Sequence, residues 1–216
     1  MRSIVRLATV LILVLCSVHA RAASAQSVDI TNVSGLVTLS DAYAARDSIR
    51  LYNADGTLWY LFSYFYDDKD GQWDFPNDAF KPLAFHPDFF VLGLAVTRRD
   101  RRGYEVVVNH ETGLTKRLPA APFLKLQTWR QYLLSVFALD FDPEQNALRV
   151  APDDRARTLA YPGKSFVYQP VEVKGEWVRV AYSKDPADVS ELRKAPSGWI
   201  RWRRANRLVV SFFYTA

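Results

Sequence analysis

Short apolar stretches separated by turn-forming residues run along most of the chain. Ile49 to Asn53 reads as a strand and Ala54-Asp55-Gly56 as a turn, because Asp-Gly tolerates positive φ. Thr57 to Tyr66 is then the partner strand. Period two puts Trp59, Leu61 and Phe65 on one face and Tyr60, Phe62, Tyr64 and Tyr66 on the other. Both faces are apolar or amphipathic, so the pattern predicts a central strand covered on both sides. A polar stretch follows from Asp67 to Pro82. Phe89 to Arg98 is the next apolar strand, followed by a basic turn from Arg98 to Gly103. Tyr104 to Asn109 returns with three valines, His110 to Gly113 turns again, and Leu114 to Leu118 completes a β-meander. Pro119 and Pro122 break it. Thr128 is the expected N-cap of a helix from Trp129 to about Phe137. Trp129, Tyr132, Leu133, Val136 and Phe137 recur there at helical spacing and predict one buried face. Asp142-Pro143-Glu144-Gln145-Asn146 marks a boundary. It separates an N-terminal β-rich block, 26–142, from a C-terminal unit, 146–216.

The start of the chain has a different pattern. Arg2 and Arg6 precede an apolar run from Leu7 to Val18, no acid occurs before Asp29, and small residues end the segment at Ala23-Ser24-Ala25. That is the charged region, apolar region and small-x-small site of a cleavable export signal, 1–25. Gln26 becomes the new N-terminus, with Ala20-Arg21-Ala22 as a second site. The run is shorter than the roughly 20 apolar residues of a spanning helix, so no stable membrane span is expected after cleavage. Cys16 follows Leu15 rather than the small residue a lipoprotein signal uses. The expected location is the periplasm or the exterior.

Cleavage changes the composition that matters. It removes Arg2, Arg6 and Arg21, so 28 basic residues become 25 against 23 acidic ones, a net charge of about +2. A balance so near neutral gives no reason to expect a nucleic-acid partner. The only cysteine leaves with the leader, so the remaining chain has no disulfide and its core stabilises it unaided. About 190 residues suffice, since a chain of that size buries roughly 70% of its unfolded surface.

The last seventy residues carry short strands at close spacing. Leu148-Arg149-Val150 begins one, followed by Ala151-Pro152-Asp153. Phe166-Val167-Tyr168 and Val171-Glu172-Val173 flank Gln169-Pro170, and Lys174-Gly175-Glu176 turns into Trp177-Val178-Arg179-Val180. After a polar loop, Ser197-Gly198 leads into Trp199-Ile200-Arg201-Trp202. This spacing suggests a small barrel. These residues resemble the bacterial SH3-like family in three places. Leu148 to Pro152 is similar to its opening Leu-x-x-x-x-Pro segment, with one residue fewer. Gly175, Trp177 and Val180 match its Gly-x-Trp-x-x-Val hairpin, and Gly198-Trp199-Ile200 match its closing Gly-Trp-Ile. The resemblance covers Leu148 to Leu208. It departs in the longer loop from Ser183 to Pro196 and in the tail from Leu208 to Tyr214, which reads as an extra strand able to pair with the N-terminal block.

The expected fold is therefore mainly β. An N-terminal meander or sandwich-like block with one helix precedes a small SH3-like β-barrel. The resemblance implies a binding or scaffolding module directed at cell-wall peptide or glycan, or at an envelope protein. Trp199, Arg201 and Arg203 alternate on one face, with Ile200 and Trp202 on the other. The first set, with Trp177, is the expected ligand face: aromatics grip sugar or peptide, and arginines hold carboxylates in bidentate fashion. The competing reading is that Trp199 closes the barrel and the arginines are solvated.

Other chemistry is weaker. Aligned on Gly71, the Asp67-Asp68-x-Asp70 loop has Tyr66 and Asn77 where an EF-hand needs oxygen ligands at its ends. Two histidines, His86 and His110, remain after cleavage and no cysteine does, so no metal site is expected. His86-Pro87-Asp88 copies the tripeptide of J-domain cochaperones but precedes a strand. Gly163-Lys164-Ser165 lacks the first glycine of a P-loop, where Thr158 stands. No Gly-x-Ser-x-Gly elbow occurs, and no cofactor is implied. Asp67, Asp70, Asp74 and Asp78, near Trp73 and Phe75, are the material for a carboxylate pair, although no spacing requires one. The readings in play are a non-catalytic envelope protein with a binding module, a cell-wall hydrolase targeted by that module, and a structural SH3-like unit with no ligand.

Overall fold

Val91 to Val96 is almost wholly buried, unlike the alternating strands around it. In the computed structural model, which describes residues 28–63, 77–186 and 188–214, this stretch lies inside the largest sheet. Before it come β1 (Gly35–Leu39), β2 (Ile49–Tyr52), β3 (Leu58–Phe62), β4 (Ala84–His86) and a single 3-10 turn, Pro87–Phe89. β5 (Val91–Asp100), β6 (Gly103–Asn109), β7 (Leu114–Pro119) and β8 (Leu124–Gln127) follow, then the short helix α1 (Trp129–Leu133) and β9 (Ala138–Asp140). The C-terminal part contains β10 (Val167–Lys174), β11 (Trp177–Ser183), α2 (Val189–Leu192), β12 (Ser197–Arg201), β13 (Arg203–Arg204), β14 (Arg207–Leu208) and β15 (Ser211–Phe213). The fold is mainly β. Among the described residues no helix is long and apolar enough to cross a membrane.

The first sheet runs β3-β2-β7-β6-β5-β1-β8, with β4 on β5, and every pairing is antiparallel. The meander β5-β6-β7 forms where the valine pattern placed it. Leu94 and Val96 point into a core with Val37, Leu51 and Val106. Gly93 lies on the other face, where an added Cβ would stand 3.0 Å from the Tyr132 hydroxyl. Its lack of a side chain lets α1 close over the sheet.

Three expectations are corrected. β3 is the end strand of the described path, with Leu58 52% and Leu61 47% exposed. The strand covered on both faces is β5. The helix stops at Leu133, four residues early, because Ala138 to Asp140 is taken into a strand pairing with β15. Phe166 to Lys174 is not split at Gln169-Pro170. β10 runs through it, with the register shifting between Pro170 and Glu172, and such an irregularity is how a sheet takes in proline. The stretches of β1 and β8 carried no strand expectation of their own.

The second sheet is the meander β10-β11-β12, beside the ribbons β13-β14 and β15-β9. Leu148 to Val150 contributes isolated bridges from Arg149 to Thr158 and to Trp199, not a strand. No closed barrel is formed by the described pairings. The tail does form the extra strand, with Phe212 opposite Leu139. One apolar cluster then takes in Ile30, Leu36 and Leu133 from the first block and Val178, Ile200, Leu208 and Val210 from the last. The expected export signal, 1–25, Tyr64 to Tyr66, and the acidic stretch with Asp67, Asp70, Trp73, Asp74 and Phe75 lie outside the described residues.

Gly198 shows why the Gly-Trp-Ile segment begins with glycine: an added Cβ would lie 2.6 Å from Leu148 Cγ. Leu148 is itself fully buried and has nowhere to move. Gly198→Ala should therefore destabilise the fold by about 1–3 kcal/mol. It should lower the thermal midpoint by about 2–4 °C per kcal/mol lost in a chain of this size, read by circular dichroism melting.

Candidate functional site

Two-residue alternation along β11 and β12 divides the aromatic and basic residues. Val178, Val180, Ile200 and Trp202 enter the shared core. Trp177, Arg179, Trp199 and Arg201 face the other way, as the sequence pattern placed Trp199 and Arg201. The segment around 149–158 runs along the edge of β12 and reaches that face through Asp154. Trp199 exchanges backbone hydrogen bonds with Arg149, both 2.8 Å, and Trp177 and Trp199 are only 7% and 9% exposed.

Arg201 joins this segment to the sheet. Its Nε and Nη2 donate to the two carboxylate oxygens of Asp154 at 3.1 and 2.6 Å. Its Nη1 donates to Glu176 Oε2 at 2.5 Å. The guanidinium lies 4.4 Å from the Trp177 ring centroid, within cation–π range. Its backbone is clamped by buried Asn146, which accepts from Arg201 N at 2.9 Å and donates to Arg201 O at 2.7 Å. Arg201 therefore already holds two carboxylates of its own chain. Arg203 stacks over Trp202 at 4.9 Å and pairs with Glu176 at 3.7 Å. Its Nε has no hydrogen-bond partner among the described residues. Glu176 is placed between the two arginines by a tight hairpin, in which Gly175 takes φ +57° at the first loop position, a conformation glycine adopts without strain. The four expected ligand residues thus come together, but as packing and ion pairs. The missed partners are Asp154, Glu176 and Asn146. No motif pointed to them, since Asp154 and Asn146 lie 47 and 55 residues from Arg201.

The open surface of this part of the molecule lies elsewhere. A groove of about 400 Å3 runs between β9 and the start of β10, in the size range of small-ligand sites. Tyr161, Phe166 and Phe213 line it, with Lys164 and Asp140 at its margin. Tyr161 stacks on Tyr168 at 5.7 Å with the rings 9° apart. Tyr168 donates its hydroxyl to Gly163 O at 3.0 Å. Burial and then the Tyr161 hydroxyl push the Tyr168 phenol well above its ordinary pKa of 10.0, so it stays neutral. Phe213, 51% exposed, stands at the groove edge. The signal for this site is the aromatic spacing at 161, 166 and 168. Alone it was unreadable, because the groove needs Phe213 brought back by β15.

Among the described residues no group of three histidine, cysteine, aspartate or glutamate side chains is placed to hold a metal ion. His110 Nδ1 lies 2.7 Å from Lys81 O, and His86 packs on the Tyr214 ring. No family model matches the chain, and no curated protein and no solved structure matches it.

The hydrogen bond from Arg201, and then its charge, hold the Asp154 carboxyl below its ordinary pKa of 3.8. A carboxylate whose pKa falls on folding stabilises above the unfolded value, and that stabilisation is lost as pH drops through the lower folded value. Asp154→Asn should therefore lower stability at pH 7, and its deficit against the parent should shrink below about pH 4. Asp154 is largely exposed, so the effect is modest. Arg201→Ala should cost more, about 1–3 kcal/mol, because Glu176 and the Trp177 face both lose their cover. Urea denaturation across pH 3 to 7 measures both.

Proposed function

We propose that this is an exported, non-catalytic protein of the cell envelope that binds peptidoglycan peptides in the groove between β9 and β10. The export reading rests on the charged, apolar and small-residue succession of the first 25 residues. The binding reading rests on one observation above others, the open apolar groove flanked by one cation and one anion. Its aromatic walls suit small aliphatic side chains, and Lys164 and Asp140 suit the carboxylate and amine of a short wall peptide. The resemblance of Gly175, Trp177, Val180 and Gly198-Trp199-Ile200 to the SH3-like family agrees with a wall-directed module. In this reading Trp177, Trp199, Arg201 and Arg203 act as the frame behind the groove, and ligand contact moves to Tyr161, Lys164, Phe166 and Phe213. No cofactor enters the reading.

Co-sedimentation with purified sacculi tests it. The parent protein should pellet with sacculi. A Phe213→Ser, Lys164→Glu variant should lose at least about tenfold in affinity while melting normally, because both residues are exposed. Failure of the parent to pellet, or retention of binding by the variant, would remove the wall-binding reading of this groove.

A further inference from the structure

A second surface has the opposite chemistry. Two adjoining hollows lie on the first sheet and share Tyr52, Leu118 and Pro119 as walls. One, about 350 Å3, is lined by Arg46 and Arg50 with Asp47 between them, and the other, about 480 Å3, by Arg102 and Arg117 with Asp55. Four arginines from three separate stretches of chain border one double hollow. The fold makes this arrangement. Ile49 and Leu51 enter the core of the first sheet, so alternation sends Arg50 and Tyr52 to its other face. Tyr52 pairs in register with Arg117, which sets Arg117 beside it. The β5–β6 hairpin supplies Arg102, with exposed Arg99 and Arg101 at the same tip.

The four arginines outnumber the nearby carboxylates, Asp47, Asp55 and Asp100. Arg46, Arg50 and Arg102 are exposed and make no ion pair among the described residues. The nearby carboxylates stay charged, but local donors hold their oxygens away from Arg46, Arg50 and the Arg102 guanidinium. Asp47 accepts from Ala44 N at 2.9 Å. Asp55 accepts from Thr57 N and Oγ1 at 2.9 and 2.7 Å. Asp100 accepts from Arg102 N at 2.8 Å and pairs with Arg117 at 3.0 Å. Cations gathered in a concave surface focus positive potential and concentrate anions. The guanidinium fork donates several hydrogen bonds at once, which suits the multiple oxygens of phosphate.

We propose that this double hollow binds a ligand carrying two or more phosphate groups, one to each hollow. The ligand is either a free phosphate chain or neighbouring phosphate headgroups on a membrane surface. The site is independent of the groove between β9 and β10.

The whole chain, expressed with its leader and purified as the cell processes it, is tested at low salt in two arms. Titration calorimetry with inorganic tripolyphosphate reads the free ligand. Flotation with phosphatidylglycerol vesicles, against phosphatidylcholine vesicles, reads the headgroup. Arg50→Gln with Arg102→Gln should weaken binding at least about tenfold in the arm that binds. Arg155→Gln with Arg193→Gln removes the same charge from exposed positions elsewhere and should leave affinity within about twofold. Binding should also weaken as salt rises. Binding of tripolyphosphate supports a free phosphate ligand, and binding of anionic vesicles alone supports the headgroup. Absence of binding in both arms, or equal loss in the two double variants, overturns the proposal.

Discussion

Leu208 and Val210, close to the C-terminus, are buried in the same cluster as Ile30, Leu36 and Leu133, and the return of the tail to that cluster organises the rest. Each such side chain contributes about 1.5–3 kcal/mol on burial, and among the described residues no disulfide can supply a substitute, since the single cysteine is Cys16. The tail carries β15 alongside β9, with Ser211 to Phe213 opposite Asp140 to Ala138. Past it, Tyr214 meets Tyr132 in a 2.6 Å hydroxyl–hydroxyl bond. Burial is the main cause holding both phenols above their ordinary pKa, so both stay neutral and the bond persists at ordinary pH. The groove between β9 and β10 is a product of this return, because Phe213 reaches it only on β15.

The same economy explains the aromatic and basic residues of β11 and β12. A three-stranded sheet with one face in the core leaves its second face to be covered. Here the 149–158 segment only borders it, pairing with the edge of β12 through Arg149, and long side chains do the covering. Arg201 does so by placing its guanidinium over the Trp177 ring while its nitrogens take Asp154 and Glu176. Its stem and ring contact exclude water while its donors are satisfied. A residue type chosen for carboxylate recognition is thus used to recognise carboxylates of its own chain. Local pattern showed which face Arg201 occupies. It did not show what already occupied its donors.

That difference runs through the whole fold. Elements whose cause lies within about ten residues were readable: the Asp55-Gly56 turn, the valine-rich meander, and the Thr128 cap, where Thr128 accepts from Gln131 N in a reciprocal capping box. Elements set by distant partners were not. β1 is defined by pairing with β5 and β8, and β9 by pairing with a tail some seventy residues on. The helix pattern through Phe137 is real in spacing, and Val136 is indeed buried. Strand pairing takes the residues after it, which ends the helix early. The apolar strand Leu58 to Phe62 misled for another reason: its rings pack with one another and with Phe80, so an end strand has the aromatic composition of an interior one.

Charge shows the limit of whole-chain quantities most clearly. With the first 25 residues set aside, the balance of 25 basic and 23 acidic residues argues against any strongly charged partner when read as a sum. The fold distributes those charges unevenly. Glu172, Glu176, Asp154, Glu111 and Asp100 are paired with arginines and a lysine close to them, while Asp47 and Asp55 keep their charge but are oriented by backbone donors in their own turns. Among the described residues Arg46, Arg50 and Arg102 are left without an ion pair on one side of the first sheet. Potential at a surface depends on the charges within about a Debye length, roughly 8–10 Å at ordinary salt, and not on the total. A near-neutral chain can therefore present a cationic cleft at one place and an apolar groove at another, and the two need not share a ligand.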